Sequence, residues 1–346
     1  MERQDLPFVS IVMPIRNESG YIKQTIDSIL VNDYPADKME IIVTDGCSDD
    51  GTQDIVREMG GKDSRVILME NKGRVVSTGL NMGLKACRGD IFIRIDGHCE
   101  IAPDFILKSV KCLQDHPEAW VVGGYWKTIS QGYIGKTVAA ATQSSIGVGN
   151  ARHRLGNYDG WTDTVPYGAH HMWIFDRIGY FDEELVRNQD DEFNMRVILG
   201  GGKIWITSAI CSIYYSRSSI GKLWRQYFQY GFWRIRTMQK HKGPAVFRQI
   251  VPLLFVLDVL ILTAAAIIFP ILWPVWFVFA GLYILGLLYG TYDVWRQAGF
   301  KSALIAPLIF AILHFGYGFG SLWGVVRFIL FRGRGIRKPS QMRLTR

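Results

Sequence analysis

Ile91-Phe92-Ile93-Arg94-Ile95-Asp96-Gly97-His98 is an apolar, β-branched run that ends in an acid and a histidine two residues apart. Such a run predicts a buried strand that delivers Asp96 and His98 to the point where the chain turns. Both are good ligands for a hard or borderline divalent cation. Taken alone, the triplet reads equally well as a turn capped by Asp96 beside a solvated His98, so its surroundings have to decide.

Three earlier segments have the same form. Phe8–Pro14 is a short apolar strand ended by proline, followed by Arg16-Asn17-Glu18 and a helical pattern through Ile22, Ile26, Ile29 and Leu30. Glu40–Thr44 is a second strand and runs into Asp45-Gly46-Cys47-Ser48-Asp49-Asp50-Gly51-Thr52; Arg65–Met69 is a third, followed by Lys72-Gly73 and a helix carrying Val76, Leu80 and Leu84. Strands alternating with helices predict a mostly parallel sheet with right-handed crossovers, and a ligand crevice beyond the carboxyl ends of its strands. Glu18, Asp45 and Asp96 each follow a strand and therefore meet in that crevice. Carboxylates so placed accept hydrogen bonds from a base N–H or ribose hydroxyls, and one of them can hold a cation that bridges two phosphates. A nucleoside diphosphate is the expected ligand. No G-x-G-x-x-G follows the first strand and no G-x-x-x-x-G-K-[ST] occurs, which argues against a dinucleotide cofactor and an ordinary ATPase.

The chain has 346 residues and a net charge of +8, and its apolar residues are unevenly spread. Residues 1–216 mix charge and apolarity as a soluble α/β domain does, 217–248 are basic and aromatic together, 249–331 are nearly all apolar and aromatic, and 332–346 form a basic tail. Lys222, Arg225, Arg234, Arg236, Lys240 and Arg248 crowd one border of the apolar region, and Arg332, Arg334, Arg337 and Lys338 the other. That distribution is the positive-inside pattern, placing the chain in the cytoplasmic membrane as a multi-pass protein with membrane lipid as a partner and no nucleic acid. Two spans and a third, broken or re-entrant segment are expected, because basic flanks on both sides put both ends in the cytoplasm. Five cysteines without a C-x-x-C pair indicate reduced thiols, and the short, charged Met1–Pro7 is read as carrying no cleaved signal.

The Pro14–Glu18 turn, the Asp45–Thr52 turn, the Asp96–His98 triplet and Asp190-Asp191-Glu192-Phe193-Asn194-Met195-Arg196 together resemble the GT-A fold of family 2 glycosyltransferases over about residues 8–240. Gly147–Arg152 and Asp163–Ala169 are similar to stretches of the bacterial succinoglycan-biosynthesis β-glycosyltransferases. The resemblance implies inverting transfer of a sugar from a nucleotide-sugar, usually UDP-linked, assisted by Mg²⁺ or Mn²⁺. Pro14, Arg16, Glu18, Asp45, Lys72 and Asp96 are then the expected donor residues, and Asp96 and His98 the expected metal ligands. His98 stands where the plain D-x-D has its second Asp, and a nitrogen ligand favours Mn²⁺.

A one-step inverting transfer needs a carboxylate to take the acceptor hydroxyl's proton. Counting back from Arg196, the family's Glu-Asp pair falls on Gln189 and Asp190, which makes Asp190 the expected base and Asp191 its rival. The same acids also suit the first turn of a helix. Acceptor contacts are expected from Arg152 in a cationic lip, Arg152-His153-Arg154, suited to a diphosphate, from Gly168, Ala169 and His171 on a strand over Tyr167–Phe175, and from Trp233-Arg234 in a membrane-interface helix over Ser218–His241. That last pair loosely echoes the Q-x-x-R-W of processive polysaccharide synthases. The expected acceptor is a polyprenyl-diphosphate-linked glycan of exopolysaccharide assembly. A polyprenyl-phosphate glycosyltransferase, a processive synthase and a non-catalytic membrane scaffold are the alternatives.

Overall fold

The structure, a computed structural model, describes residues 6–156, 158–216, 219–243 and 246–331; Arg217 and the basic tail 332–346 lie outside the described residues. The first half is built as its hydropathy dictates. Strands β1 (Val9–Ile15), β2 (Met39–Asp45), β3 (Val66–Glu70) and β4 (Ile91–Arg94) are parallel in the spatial order β3-β2-β1-β4. Alternation along β1 serves two cores. Val9, Ile11, Met13 and Ile15 face α1 (Ile22–Leu30), α2 (Thr52–Lys62) and α4 (Phe105–Asp115), whereas Val12 faces α3 (Val76–Ala86).

Beyond β4 the sheet becomes mixed. β5 (Cys99–Ile101), β6 (Ala119–Ile129), β7 (Gly160–Thr162), β8 (Ala169–His171) and β9 (Lys203–Tyr215) continue it as β4-β8-β6-β9-β5, with β8 antiparallel to both β4 and β6, and β7 paired to β9. The expected strand over Tyr167–Phe175 is shorter than its apolar pattern. It stops where its partner does, with His171 opposite Ile91, the first residue of β4, and the chain turns into helix α8 (Trp173–Ile178). β9 runs unbroken from Lys203 to Tyr215, kept in register with β6 by an irregularity at Gly124, where any Cβ would strike the Ile210 carbonyl.

Residues 132–150 form two helices, α5 (Gly132–Ala141) and α6 (Ser145–Val148), followed by a single turn α7 (Arg152–Leu155). Helix α9 (Gln189–Leu199) starts after Asn188, whose φ of 62° ends the preceding loop, so Asp182–Glu184 remain outside it. Those loop acids bind cations of α10 (Ile220–His241): Arg236 pairs with Glu184 at 2.7 Å, and Lys240 with Asp182 and Glu184.

Three helices follow that are long and apolar enough to cross a membrane: α11 (Val251–Ile268), α12 (Trp273–Ala298) and α13 (Phe300–Gly324, extended by a π-helical stretch to Leu330). The third, expected to be broken or re-entrant, is helical from Phe300 to Leu330, with Pro307 inside it and a change to π-helical winding at Val325. Gly316, Gly320 and Gly324 recur every fourth residue on α13 and meet α10, where Gly231 lies against the Tyr317 carbonyl and Gly320 against that of Phe228. Helix α10, expected at the membrane interface, packs along α13 with Leu223, Trp233 and Ile235 buried, while Lys222, Trp224 and Arg225 stay exposed.

Candidate active site

The ends of β1 and β4 and the start of α9 converge on one cavity of about 690 Å³. Pro14, Arg16 and Glu18 enter it from β1, Arg94, Asp96 and His98 from β4, and Asp190 and Asp191 from α9, while α10–α13 close its other side. Arg94, which sequence reasoning did not single out, joins two of these groups. Its Nη2 donates to Asp96 Oδ1 at 2.8 Å and its Nη1 lies 3.5 Å from Asp190 Oδ2. The clue was in the sequence: a guanidinium inside an apolar strand has to be paired.

Burial alone would raise the Asp96 pKa, but Arg94, helped by His98, holds it below the usual carboxylate range. Asp190 goes the other way. Removal from bulk water raises its pKa against the pull of Arg94, and Asp191 adds to the rise. Asp191 opposes burial too, held down by the Arg234 guanidinium and by the Thr164 hydroxyl, which donates to it at 2.9 Å. Two adjacent carboxylates are thus pushed apart, the usual arrangement for separating a proton acceptor from a permanent anion.

His98 Nδ1 lies 3.3 Å from Glu18 Oε1, and the His98 ring contacts Tyr214 at 5.4 Å. Among the described residues no three His, Cys, Asp or Glu side chains cluster closely enough to hold a metal by themselves. Asp45 is buried beneath its own turn, accepting from Ser48 N–H at 2.8 Å and Gln53 Nε2 at 2.7 Å, and does not reach the cavity wall. Lys72 is exposed and off the wall as well. The turn after β3 presents Asn71 and Arg74 instead, with Arg74 at φ 61°.

The acceptor set is redistributed more strongly. Arg152 stacks over Tyr158 at 3.8 Å, while its neighbours His153 and Arg154 line the cavity. Gly168 borders a separate small recess beside Arg94, and Ala169 is fully buried in β8. His171 stacks on Trp173 at the start of β4, because antiparallel β8 runs away from the strand ends that form the site. Trp233 is 2% exposed and packs with Phe232 and Phe328 in the core. Of that pair only Arg234 lines the cavity, bound by Asp191 and by Tyr317 Oη at 3.2 Å. Arg94 and Tyr227 are wall residues that sequence reasoning left out, whereas His153 and Arg154 belong to the expected cationic lip and Arg248 to the basic border.

The sequence profile of Glycosyl transferase family 2 matches residues 10–180. The succinoglycan biosynthesis protein ExoA of Rhizobium meliloti is 30% identical over 246 residues, covering 70% of this chain and 74% of that protein. The dolichyl N-acetyl-alpha-D-glucosaminyl phosphate 3-beta-D-2,3-diacetamido-2,3-dideoxy-beta-D-glucuronosyltransferase of Methanococcus voltae is 30% identical over 231 residues, covering 65% and 72%. Among solved structures, the mannosyltransferase PcManGT of Pyrobaculum calidifontis, in complex with GDP-Man and Mn²⁺, superposes with a TM-score of 0.60 at 20% identity over 93% of this chain and 89% of that one. Residues 1–349 of TarS from S. aureus superpose at 0.51 with 16% identity, covering 92% and 91%. The mixed-sheet domain is GT-A-like.

Proposed function

From its membership of glycosyl transferase family 2, we propose that the chain is a membrane-bound inverting enzyme that moves a sugar from a UDP-sugar to a polyprenyl-diphosphate-linked glycan on the cytoplasmic side of the membrane. One observation carries the proposal: Asp190 stands across Arg94 from Asp96 in a cavity whose far wall is made by membrane-type helices. The acceptor hydroxyl attacks the anomeric carbon, the new C–O bond forms as the bond to the nucleoside diphosphate breaks, and Asp190 takes the hydroxyl proton. Its raised pKa suits a proton acceptor. Arg94 and Arg234 hold the flanking carboxylates in place.

Asp96 and His98, on either side of Gly97, fit a two-ligand cation site. Cations of this kind are commonly held by one or two protein groups together with substrate phosphates, which agrees with the lack of a three-residue cluster among the described residues. When bound, Mn²⁺ or Mg²⁺ would neutralise charge on the departing diphosphate. The solved mannosyltransferase holds GDP-Man and Mn²⁺, and the Methanococcus relative is named for transfer to a dolichyl-phosphate sugar. Both support a nucleotide-sugar donor, a divalent cation and a lipid-linked acceptor here.

The test is transfer from a panel of UDP-sugars to a lipid-linked acceptor extract by purified membranes. Asp190→Asn is expected to abolish transfer while UDP binding, followed by calorimetry, stays as in the parent. Loss of transfer in Asp191→Asn with activity retained in Asp190→Asn would move the base by one residue and overturn the assignment.

A further inference from the structure

The two ends of the cavity differ in chemistry. Pro14, Glu18 and Asp96 mark the donor end; the other is walled by Val251 of α11, Leu282 and Leu287 of α12 and Leu313 of α13. All four come from helices apolar enough to lie in a bilayer. Between the two ends, the single turn α7 sets His153 and Arg154 into the wall.

Among the described residues these two side chains lack the carboxylate partners that hold Arg94, Arg234 and Arg248 in the same wall. Arg94 is engaged by Asp96, Arg234 by Asp191, and Arg248 by Asp163 at 2.6 Å. Arg154 rests its guanidinium over the Trp126 ring at 5.2 Å, and no carboxylate among the described residues pairs with it. His153 stands edge-on to the same ring at 5.6 Å, and its Nδ1 is shut from water with no hydrogen-bond partner among the described residues. Burial and the nearby Arg154 charge keep the imidazole neutral, so one ring nitrogen carries a proton to donate. Trp126 stacks on Tyr214 at 4.7 Å, and Tyr214 contacts His98. That aromatic pair separates the spare donors from the expected cation ligands of the nucleotide.

We propose that His153 and Arg154 form an anion subsite for the diphosphate of an isoprenoid-linked acceptor, whose hydrocarbon chain leaves toward α11 and α12. The inference rests on the transferase reading above and assigns side chains to the diphosphate of its acceptor. Arg154 supplies the charge-assisted contact, His153 a neutral one, and the apolar wall receives the chain.

The test measures binding rather than turnover, with the full chain in detergent. Geranylgeranyl diphosphate is titrated by calorimetry into the parent and into Arg154→Gln, Arg154→Lys and His153→Phe, with UDP as the control ligand. Arg154→Gln is expected to weaken geranylgeranyl diphosphate binding at least about tenfold, with partial recovery in Arg154→Lys and a smaller loss in His153→Phe. UDP binding is expected to hold in all three. Should Arg154→Gln fail to fold, His153→Phe, which keeps the ring contact with Trp126, still reads the site. Two further arms separate the sources of phosphate. If inorganic pyrophosphate binds as tightly with the same Arg154 dependence, or if phosphatidylglycerol in the micelle displaces the probe, the isoprenoid assignment is overturned. It is overturned equally if both variants bind the probe like the parent. A parent that binds UDP but not the probe defeats this subsite and leaves the transferase reading standing; Arg154-dependent probe binding without UDP binding does the reverse.

Discussion

Arg94 is where the charges of the site are balanced. Among the described residues it is the one cation that pairs with both the expected cation ligand Asp96 and the expected base Asp190. Replacing it with Gln leaves two carboxylates facing each other without their counter-charge. Arg94→Gln is expected to cost roughly 3 kcal/mol in chemical denaturation. It also has a kinetic signature. Asp190 must be ionised to accept a proton, so activity falls as pH drops through its raised pKa. Because Arg94 holds that pKa down, removing it should move the acid limb of kcat/KM to higher pH; an unchanged limb would argue against Asp190 as base. The carboxylates were legible in sequence because each follows a strand or opens a helix, positions that side-chain type and hydrophobic period both reveal. Arg94 lay inside the stretch that reads as a plain apolar strand, and only its partners, Asp190 included, show what it does. Trp233 and Arg234 were read as one unit, yet adjacent helix positions point about 100° apart. One enters the core and the other the cavity.

Among the elements, the parallel half of the sheet and α9 were readable from periodicity and strand-end chemistry. β8 was not, because its length is set by where β4 begins rather than by its own residues. The role of α13 was likewise hidden. Its glycines sit in an apolar stretch where composition indicates only lipid, and their four-residue spacing gains meaning only beside Gly231 of α10. With backbones this close, Gly320→Ala should lower the thermal stability of the detergent-solubilised protein by about 2 kcal/mol. Gly286, with nothing near its missing Cβ, should tolerate Ala with little change and serves as the control.

For the whole molecule, the two ends of α13 bear on a question that hydropathy left open. Near its start, Ala306 and Ile309 pack with Val138 and Ala140 of α5; at its far end Phe328 packs with Trp233 and with Val75 of the sheet domain. Gln239 of α10 also donates to the Phe328 carbonyl at 2.7 Å. A helix held to one domain at both ends is expected to lie along it rather than carry the chain across a bilayer, with α11 and α12 as the hairpin. A reporter fused after Phe331 is therefore expected to read on the same side of the membrane as the sheet domain. A reading on the opposite side would contradict this arrangement.

The cavity wall formed by α11–α13 has a further consequence, for the order of events. In the proposed reaction a nucleotide-sugar would enter from water at the sheet end, and a lipid-borne acceptor from the bilayer at the helix end. Two substrates arriving at opposite ends would not share a doorway, so neither would have to wait for the other. Initial-rate patterns are then those of random addition, with intersecting double-reciprocal lines and no inhibition by excess of either substrate. A compulsory order would mean that one doorway opens only after the other is filled.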